Sequence, residues 1–202
     1  MDEESKSSLR QRILEEAARL FVTQGYDGIS MREIAEAVGV SKAGLYYHFR
    51  DKEDLLLAVL TAYLDEVERL IQEARRQNAT AREQVAQFLR GIFAQPLEKR
   101  AIIRLASQEM AHLHPETRAA FGRLYREKFI AQVEAILQEG VDRGELALSD
   151  VRLATWMLLG MAYPFFYPAH AREMGPPDQA IALMISLFFD GAARRGQRML
   201  NE

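Results

Sequence analysis

The side chains in this sequence that can do chemistry are concentrated between Ser41 and Lys52. This segment reads SKAGLYYHFRDK, and it brings ammonium groups, two phenolic hydroxyls and an imidazole close together along the chain. Such groups donate hydrogen bonds to phosphate oxygens and to the edges of bases. A solvated helix face has a similar composition, so the interpretation depends on the elements that present these side chains.

Within this segment, Leu45 and Phe49 are four residues apart, which places them on one face of a helix. We expect both side chains to pack inward. Tyr46 and Tyr47 differ by about 100° around the helix axis, so they cannot be buried equally. Gly44 inside a helix is unfavourable by roughly 1 kcal/mol relative to Ala, which indicates either a close approach of the backbone to bases or a packing constraint.

Two short helices separated by a tight turn are predicted to hold these residues. Ser30 and Glu33 form a capping-box pattern that begins the first helix, and Gly39 ends it. Ser41 can then cap the second helix. This is a helix-turn-helix arrangement, in which the first helix braces the second so that its exposed face fits the major groove of DNA.

The same residues, at the same spacing, resemble the DNA-binding domain of TetR-type transcriptional regulators over about the first 60 residues. The rest of the chain matches that family only in its layout. The resemblance implies a dimeric repressor that binds a palindromic operator and releases it when a small molecule binds the C-terminal part. The matching run is Phe21-x-x-x-Gly25-Tyr26, Ser30-x-Arg32-x-Ile34-Ala35-x-x-x-Gly39-Val40-Ser41-Lys42 and Leu45-Tyr46-Tyr47-His48-Phe49-x-x-Lys52-x-x-Leu55.

The resemblance also implies roles for individual positions. The positions that would face bases are Arg32, Lys42, Ala43, Gly44 and Tyr46. The positions that would hold phosphates are Ser30, Ser41, Tyr47, His48 and Lys52. Ala43 and Gly44 have no side-chain hydrogen-bonding group, so direct base recognition should depend on Arg32, Lys42 and Tyr46, with DNA shape supplying the remainder.

Apolar residues recur at helical spacing almost throughout the chain, which predicts an all-α fold. The first helix is expected after Ser8, a connecting helix at residues 51–77, and one long helix from Pro115 to about Gly144. Two apolar helices are expected near residues 150–170 and 177–200. A shift in composition near residue 52 predicts a helix-turn-helix domain at 1–52 and an effector-binding and dimerisation domain at 53–202.

Net charge at first argues against nucleic acid, because 26 Lys and Arg face 29 Asp and Glu, which gives −3. The local balance is different. From Ser41 to Lys52 there are three basic residues and one acidic residue, a net of +2. Phosphate binding depends on the charge of the presented face, so the overall charge restricts where DNA binds and does not exclude it.

Several other classes of protein are disfavoured by the residues present. The chain has no cysteine, which excludes disulfides, thiolate zinc sites and a cysteine nucleophile. Glu109 and His112 form half of a helical di-iron pattern, but no second Glu-x-x-His occurs, so we predict neither a metal nor an enzyme. The longest apolar run, Leu153 to Tyr167, has 15 residues and a proline. A membrane span needs about 20, and the N-terminus is polar, so a cytoplasmic location is expected.

The C-terminal part is predicted to bind a hydrophobic effector between the helices near 80–140 and the helix near 150–170. A long-chain fatty acyl-CoA is the first prediction, and a lipophilic drug or an aromatic thioester is the alternative. Arg100, Arg104, Arg118, Arg123 and Arg126 can receive an anionic head group, although each is individually typical of a solvated helix face. The predicted lining is Phe88, Ile92, Ile103, Met110, Phe121, Tyr125, Phe129, Trp156, Met157, Gly160, Met161 and Phe165.

The two C-terminal helices are apolar around more of their circumference than one buried face requires. We therefore expect them to form an intersubunit four-helix bundle in a C₂ homodimer. The predicted interface residues are Leu159, Tyr163, Ile185, Phe188, Phe189 and Ala192. A regulator of this fold that activates transcription would have the same sequence features, because the two roles differ in operator position.

Overall fold

The computed structural model describes residues 3–76, 79–110, 113–167 and 175–191, and these residues contain helices and no β-strand. The all-α prediction is confirmed. The first five helices are α1 (Glu3–Gln24), α2 (Met31–Val38), α3 (Lys42–His48), α4 (Lys52–Arg75) and α5 (Ala81–Ala94). The following five are α6 (Leu97–Glu109), α7 (Pro115–Tyr125), α8 (Ala131–Asp142), α9 (Val151–Ala162) and α10 (Pro177–Gly191).

Capping boxes begin two of these helices, and the one at α2 is the box that the sequence predicts. The Ser30 hydroxyl accepts a hydrogen bond from the Glu33 N–H at 3.3 Å, and the Glu33 carboxylate accepts one from the Ser30 N–H at 2.8 Å. Thr80 and Glu83 form the same capping box at α5. Each box satisfies two backbone donors that the helix itself leaves unpaired.

Three predicted helix boundaries are wrong. The helix expected near residues 150–170 is α-helical only to Ala162 and continues as a 3₁₀ turn over Tyr163–Phe166. Helix α1 begins at Glu3 and not after Ser8, because the polar residues between these positions are compatible with a helix and no N-cap is needed at Ser8. The helix predicted from Pro115 to about Gly144 contains a π-helical segment at Arg126–Ile130 between α7 and α8. A π segment inserts one extra residue into the helix and has no simple hydrophobic period, so the sequence pattern does not reveal it.

The described helices group into two compact units, each made of two chain segments. The first unit contains residues up to 65 together with residues 96–124. Its core is formed by α1, α2, α3, the first part of α4 and α6, with Ile13, Phe21, Ile34, Leu45 and Leu56 fully buried. These residues hold the helix-turn-helix segment by hydrophobic burial, which contributes roughly 1.5–3 kcal/mol for each large side chain.

The second unit contains residues 66–95 and the described residues from 125 onward. In this unit α5 packs against α8 and α10, and α8 packs against α9. A Cβ on Gly140 would lie 2.7 Å from the Cβ of Ala81, so a glycine is needed for the close approach of α8 to α5. The predicted domain boundary at residue 52 separates DNA binding from effector binding, whereas the two units describe how the helices pack. The boundary therefore remains a prediction.

Every helix within the described ranges is too short or too polar to cross a lipid bilayer. Among the same residues, His, Asp and Glu side chains do not gather in a group of three that would hold a metal ion. His112, the second residue of the half di-iron pattern, lies outside the described residues.

Candidate functional site

The turn between α2 and α3 has the geometry that a helix-turn-helix requires. Gly39 ends α2 in the left-handed conformation with φ of 76°, and its N–H bonds back to the carbonyls of Ala35 and Glu36. A residue with a Cβ is strained at this φ, which explains the glycine. Ser41 then begins α3, because its hydroxyl accepts the Gly44 N–H at 3.0 Å.

Helix α3 is anchored by its apolar side chains. Leu45 is completely buried and Phe49 is 2% exposed, so the prediction that both pack inward is confirmed. The Arg10 guanidinium lies 5.2 Å from the centre of the Phe49 ring, which adds a cation–π contact from α1. The opposite face of α3 is consequently turned toward solvent.

The outward face carries the polar side chains that the sequence places there. Tyr47 is 70% exposed and Tyr46 is 43% exposed, so both rings are accessible from solvent. The Lys42 ammonium lies 5.7 Å from the centre of the Tyr46 ring. The rings of Tyr47 and His48 meet edge to face at 5.2 Å. Lys42 is exposed as well, and His48 is half-buried.

Arg32 lies on the exposed face of α2. Its Nε is 3.2 Å from Oε1 of Glu36, one turn further along the helix. Both side chains are well exposed, and such a pair contributes less than about 1 kcal/mol. Arg32 can therefore exchange Glu36 for a base edge at little energetic cost.

Gly44 is not required by the backbone of α3. A Cβ at this position would contact the Ser41 Oγ at 3.3 Å and the Val40 Cβ at 3.9 Å, which demands a shift of a few tenths of an ångström. The packing constraint is therefore mild, and the close-approach interpretation of this glycine is favoured.

The structure places Lys52 differently from the other predicted phosphate ligands. Its Nζ donates hydrogen bonds to the carbonyl of Tyr26 at 2.8 Å and to that of Ile29 at 3.1 Å. The same ammonium is 4.3 Å from the centre of the Tyr26 ring. Lys52 is thus bound within the first unit, at the turn between α1 and α2. The motif spacing gave no signal for this arrangement.

The predicted effector-lining residues are distributed over both units. In the second unit the rings of Phe88 and Phe129 lie 6.1 Å apart and those of Tyr125 and Phe129 lie 5.4 Å apart. Phe93, a residue not predicted, meets Phe165 edge to face at 5.6 Å. Ile92 is buried in this unit, Met161 is half-buried, and Trp156, Met157 and Gly160 are exposed. Ile103, Met110 and Phe121 belong to the first unit.

A group of tyrosines accompanies this aromatic cluster. Burial, with the nearby Tyr163, raises the pKa of Tyr125 to about 12. The hydroxyls of Tyr163 and Tyr167 are 3.1 Å apart. Tyr125 immediately precedes the π segment, and irregularities of this kind are frequent at functional sites. Apolar rings and neutral hydroxyl groups therefore occur together in the second unit.

The predicted interface residues are placed as follows. Ile185 and Phe189 are buried within the protomer, and Leu159, Tyr163 and Phe188 are half-buried. Ala192 lies outside the described residues. The large exposed apolar side chains of α9 and α10 are Leu153, Trp156, Met157, Leu183 and Leu187. The sequence does not separate these exposed residues from the buried ones, because both helices are apolar nearly all round and their period does not distinguish core from surface.

Two family models match the chain. The model described as "Bacterial regulatory proteins, tetR family" matches residues 13–59, which include α2, α3 and the start of α4. The model "Tetracyclin repressor-like, C-terminal domain" matches residues 78–163. The two models therefore cover the helix-turn-helix and much of the second half of the chain.

Individual relatives agree with these matches. The chain is 25% identical to the fatty acid metabolism regulator protein of Bacillus subtilis (strain 168) over 150 residues, which is 74% of this chain and 77% of that protein. It is similar to the TetR family transcriptional regulator PfmR from Thermus thermophilus, with 29% identity, a TM-score of 0.71 and coverage of 91% of this chain and all of that one.

A further similar structure is that of AibR, solved in complex with isovaleryl coenzyme A and operator DNA. It is 28% identical, with a TM-score of 0.73 and coverage of 90% of this chain and 98% of that one. These relatives are transcription regulators, which confirms the prediction that the chain is not an enzyme. The helix-turn-helix geometry, both family models and the relatives together show that this chain belongs to the TetR family of transcriptional regulators.

Proposed function

We propose that this TetR-type transcriptional repressor binds a palindromic operator as a homodimer and releases it when a hydrophobic acyl effector binds. The observation that carries the proposal is the outward face of α3. Tyr46 and Tyr47 are exposed there on a helix that Leu45 and Phe49 anchor from the other side. Exposed aromatic and basic groups on a braced short helix suit the major groove and its phosphates.

The proposed roles follow the placement of each side chain. Arg32, Lys42 and Tyr46 contact base edges, and Gly44 with Ala43 lets the backbone approach them closely. Direct hydrogen bonds from Lys and Arg to guanine are the commonest specific contacts in DNA complexes. The proposed phosphate ligands are Ser30, Ser41, Tyr47 and His48.

We place the dimer interface on the exposed apolar face of α9 and α10. On α9 this face holds Leu153 together with Trp156 and Met157, which follow it by three and four residues. On α10 it holds Leu183 and Leu187, which are four residues apart. Exposed large apolar side chains gathered on one face of a helix are typical of protein interfaces, and a second copy of the same face satisfies a C₂ dimer. Helix α3, the recognition helix, is present once in each protomer of such a dimer. The two copies would contact operator half-sites about one DNA turn apart.

We place the effector beside the aromatic cluster of the second unit. Apolar contact comes from the rings of Phe88, Tyr125 and Phe129. The Tyr125 hydroxyl is a neutral hydrogen-bond donor suited to the carbonyl oxygen of an acyl group. The B. subtilis relative is a fatty acid metabolism regulator and AibR is seen with isovaleryl coenzyme A, which supports an acyl thioester as the effector class. A long-chain fatty acyl-CoA remains the first proposal.

Among the arginines considered for an anionic head group, two differ in their surroundings. Burial lowers the pKa of Arg100, since removal of water disfavours its charged form. Arg126 instead makes two hydrogen bonds to the Glu134 carboxylate, at 3.0 and 2.8 Å, so its guanidinium already has an anionic partner.

The proposed function is tested by mass spectrometry of the small molecules that co-purify with the native protein. An acyl thioester is the expected result. Hexadecanoyl-CoA should then release a duplex that the protein has selected from a random DNA library. A co-purified polycyclic or drug-like ligand, with no release by hexadecanoyl-CoA, would contradict the effector class. Failure to select any duplex would contradict DNA binding itself.

A further inference from the structure

The turn between α1 and α2, at residues 25–30, is held by side chains from other helices of the first unit. Lys52, the first residue of α4, donates hydrogen bonds to the carbonyls of Tyr26 and Ile29 at 2.8 and 3.1 Å. An ammonium has three N–H donors, so two of them are used on this turn. The Tyr26 ring, 4.3 Å away, makes a further contact with the cation.

A carboxylate contacts the backbone of the same residue, Tyr26. Glu109, the last residue of α6, accepts the Tyr26 N–H at 3.3 Å through Oε1. This oxygen lies 3.9 Å from the point where a Cβ on Gly25 would be, so the carboxylate is close to the turn backbone. The N–H of Tyr26 is therefore bound by an anion from α6 and its C=O by a cation from α4.

The first turn of α4 is connected to a second loop as well. Glu53, adjacent to Lys52, accepts the His114 N–H at 3.0 Å, and its other oxygen is 3.5 Å from the His114 imidazole. Helix α6 also packs along α1. Consecutive residues of α4 thus hold the backbone before α2 and the backbone before α7.

We propose that Lys52 and Glu109 are positioning residues that fix the start of α2, so that operator affinity depends on them through geometry and not through a phosphate contact by Lys52. Helix α2 begins at Met31, directly after the held turn, and it braces α3. A displaced turn would therefore shift the recognition helix relative to DNA. The inference rests on the proposed function, since DNA affinity is its readout.

Removing the charge of Glu109 distinguishes this proposal from a purely electrostatic effect on DNA affinity, because the two predict changes in opposite directions. Glu109→Ala removes a negative charge, which by itself would raise affinity for DNA. The positioning role predicts the opposite, a decrease of about tenfold, because a charge-assisted hydrogen bond to the turn is lost. Glu116→Ala is the matched control, since Glu116 is an exposed acid in the first turn of α7. This control should bind DNA as tightly as the wild type or more tightly.

Lys52→Met supplies the second test. Affinity for the selected duplex is measured between 50 and 200 mM salt, and the logarithm of the affinity is plotted against the logarithm of the salt concentration. Each phosphate contact that a substitution removes should reduce the steepness of this plot by about 0.9. We expect weaker binding with an unchanged slope for Lys52→Met, because the positioning role removes no phosphate contact. A reduced slope for Lys52→Met would overturn the proposal.

Hydrogen exchange keeps the inference testable apart from the proposed function. Peptides spanning residues 22–31 should exchange faster in both Glu109→Ala and Lys52→Met, and at the wild-type rate in Glu116→Ala. If the wild-type protein selects no duplex, the proposed function fails, while the exchange result still decides whether the two side chains hold the turn. Unchanged exchange in both variants, or unchanged or tighter DNA binding by Glu109→Ala, overturns the proposal.

Discussion

Individual residues on α2 and α3 differ in how strongly their surroundings constrain them. Leu45 and Phe49 are fixed by burial, whereas Arg32 and Tyr47 are mainly solvated. A solvated side chain contributes little to folding, so its substitution should change DNA recognition selectively. A buried one should change stability first. Substitutions at exposed and at buried positions therefore distinguish residues needed for operator recognition from residues needed for folding of the domain.

Arg32→Ala should lose discrimination at one base pair of the operator, worth about 1–3 kcal/mol, because a direct base contact is removed. The measurement is competition among single-base variants of the selected duplex. Glu36→Ala serves as the control, since it removes the partner of Arg32 in the ion pair and leaves the guanidinium in place. The assignment fails if Arg32→Ala retains the wild-type pattern of preference.

Gly44→Ala should weaken operator binding by at least about tenfold, or 1.4 kcal/mol, because a methyl group separates the helix from the bases. The free energy of unfolding should change by less than about 1 kcal/mol, since the gain in helix propensity offsets mild crowding at the Ser41 hydroxyl. Gly122→Ala in α7 is the matched control, with nothing within 4 Å of the added Cβ. Equal DNA affinities for the two variants would contradict the close-approach role.

At the scale of an element, α2 depends on its capping box. Ser30→Ala should lower the free energy of unfolding by about 1 kcal/mol, because the hydroxyl that accepts the Glu33 N–H is lost. Urea denaturation of wild type and variant measures this difference. Ser8→Ala, at an exposed position within α1, is the comparison and should have little effect. A loss in Ser8→Ala as large as in Ser30→Ala would argue against the capping role.

The same cap makes α2 sensitive to acid. Hydrogen bonds from the Ser30 hydroxyl and then from its backbone N–H lower the pKa of Glu33 from 4.5. A carboxyl with a lowered folded-state pKa contributes stability above its unfolded pKa, and that contribution disappears as the pH falls through the folded value. Stability from the cap should therefore decrease below about pH 4.5. NMR titration of Glu33 should show its pKa rising toward 4.5 in Ser30→Ala, and an unchanged value would contradict this cause.

At the scale of the whole molecule, the proposed operator contacts require two copies of the chain. Leu187→Lys places a charge in the exposed apolar face of α10 and should convert a dimer to a monomer at micromolar concentration, because a buried unpaired charge is strongly unfavourable. Operator affinity should decrease in parallel, since one recognition helix then binds alone. Light scattering and duplex binding measure the two effects.

Ala119→Lys, on an exposed position of α7, is the control for this interface and should remain a dimer. A wild-type protein that is monomeric at micromolar concentration would refute operator binding by a dimer with one recognition helix in each protomer. A Leu187→Lys protein that remains dimeric would place the interface on another surface.

The sequence alone determined much of the helix-turn-helix, because the information there is local. Capping residues, the left-handed Gly39 and the spacing of Leu45 and Phe49 each act within one or two helical turns. The family and the all-α class follow from the same patterns. The two apolar helices near residues 150–170 and 177–200 were predicted in approximate position for the same reason, since they are strongly apolar.

Only the tertiary structure decided which faces of those helices are used. Ile185 is buried and Leu187 is exposed on one apolar helix, and the choice depends on which helix packs against it. The binding of Lys52 to the turn between α1 and α2 also depends on long-range packing, because the two bonded residues are 26 positions apart in the chain. Hydrophobic burial has no direction along the sequence, so composition reveals that a side chain can be buried but not what covers it.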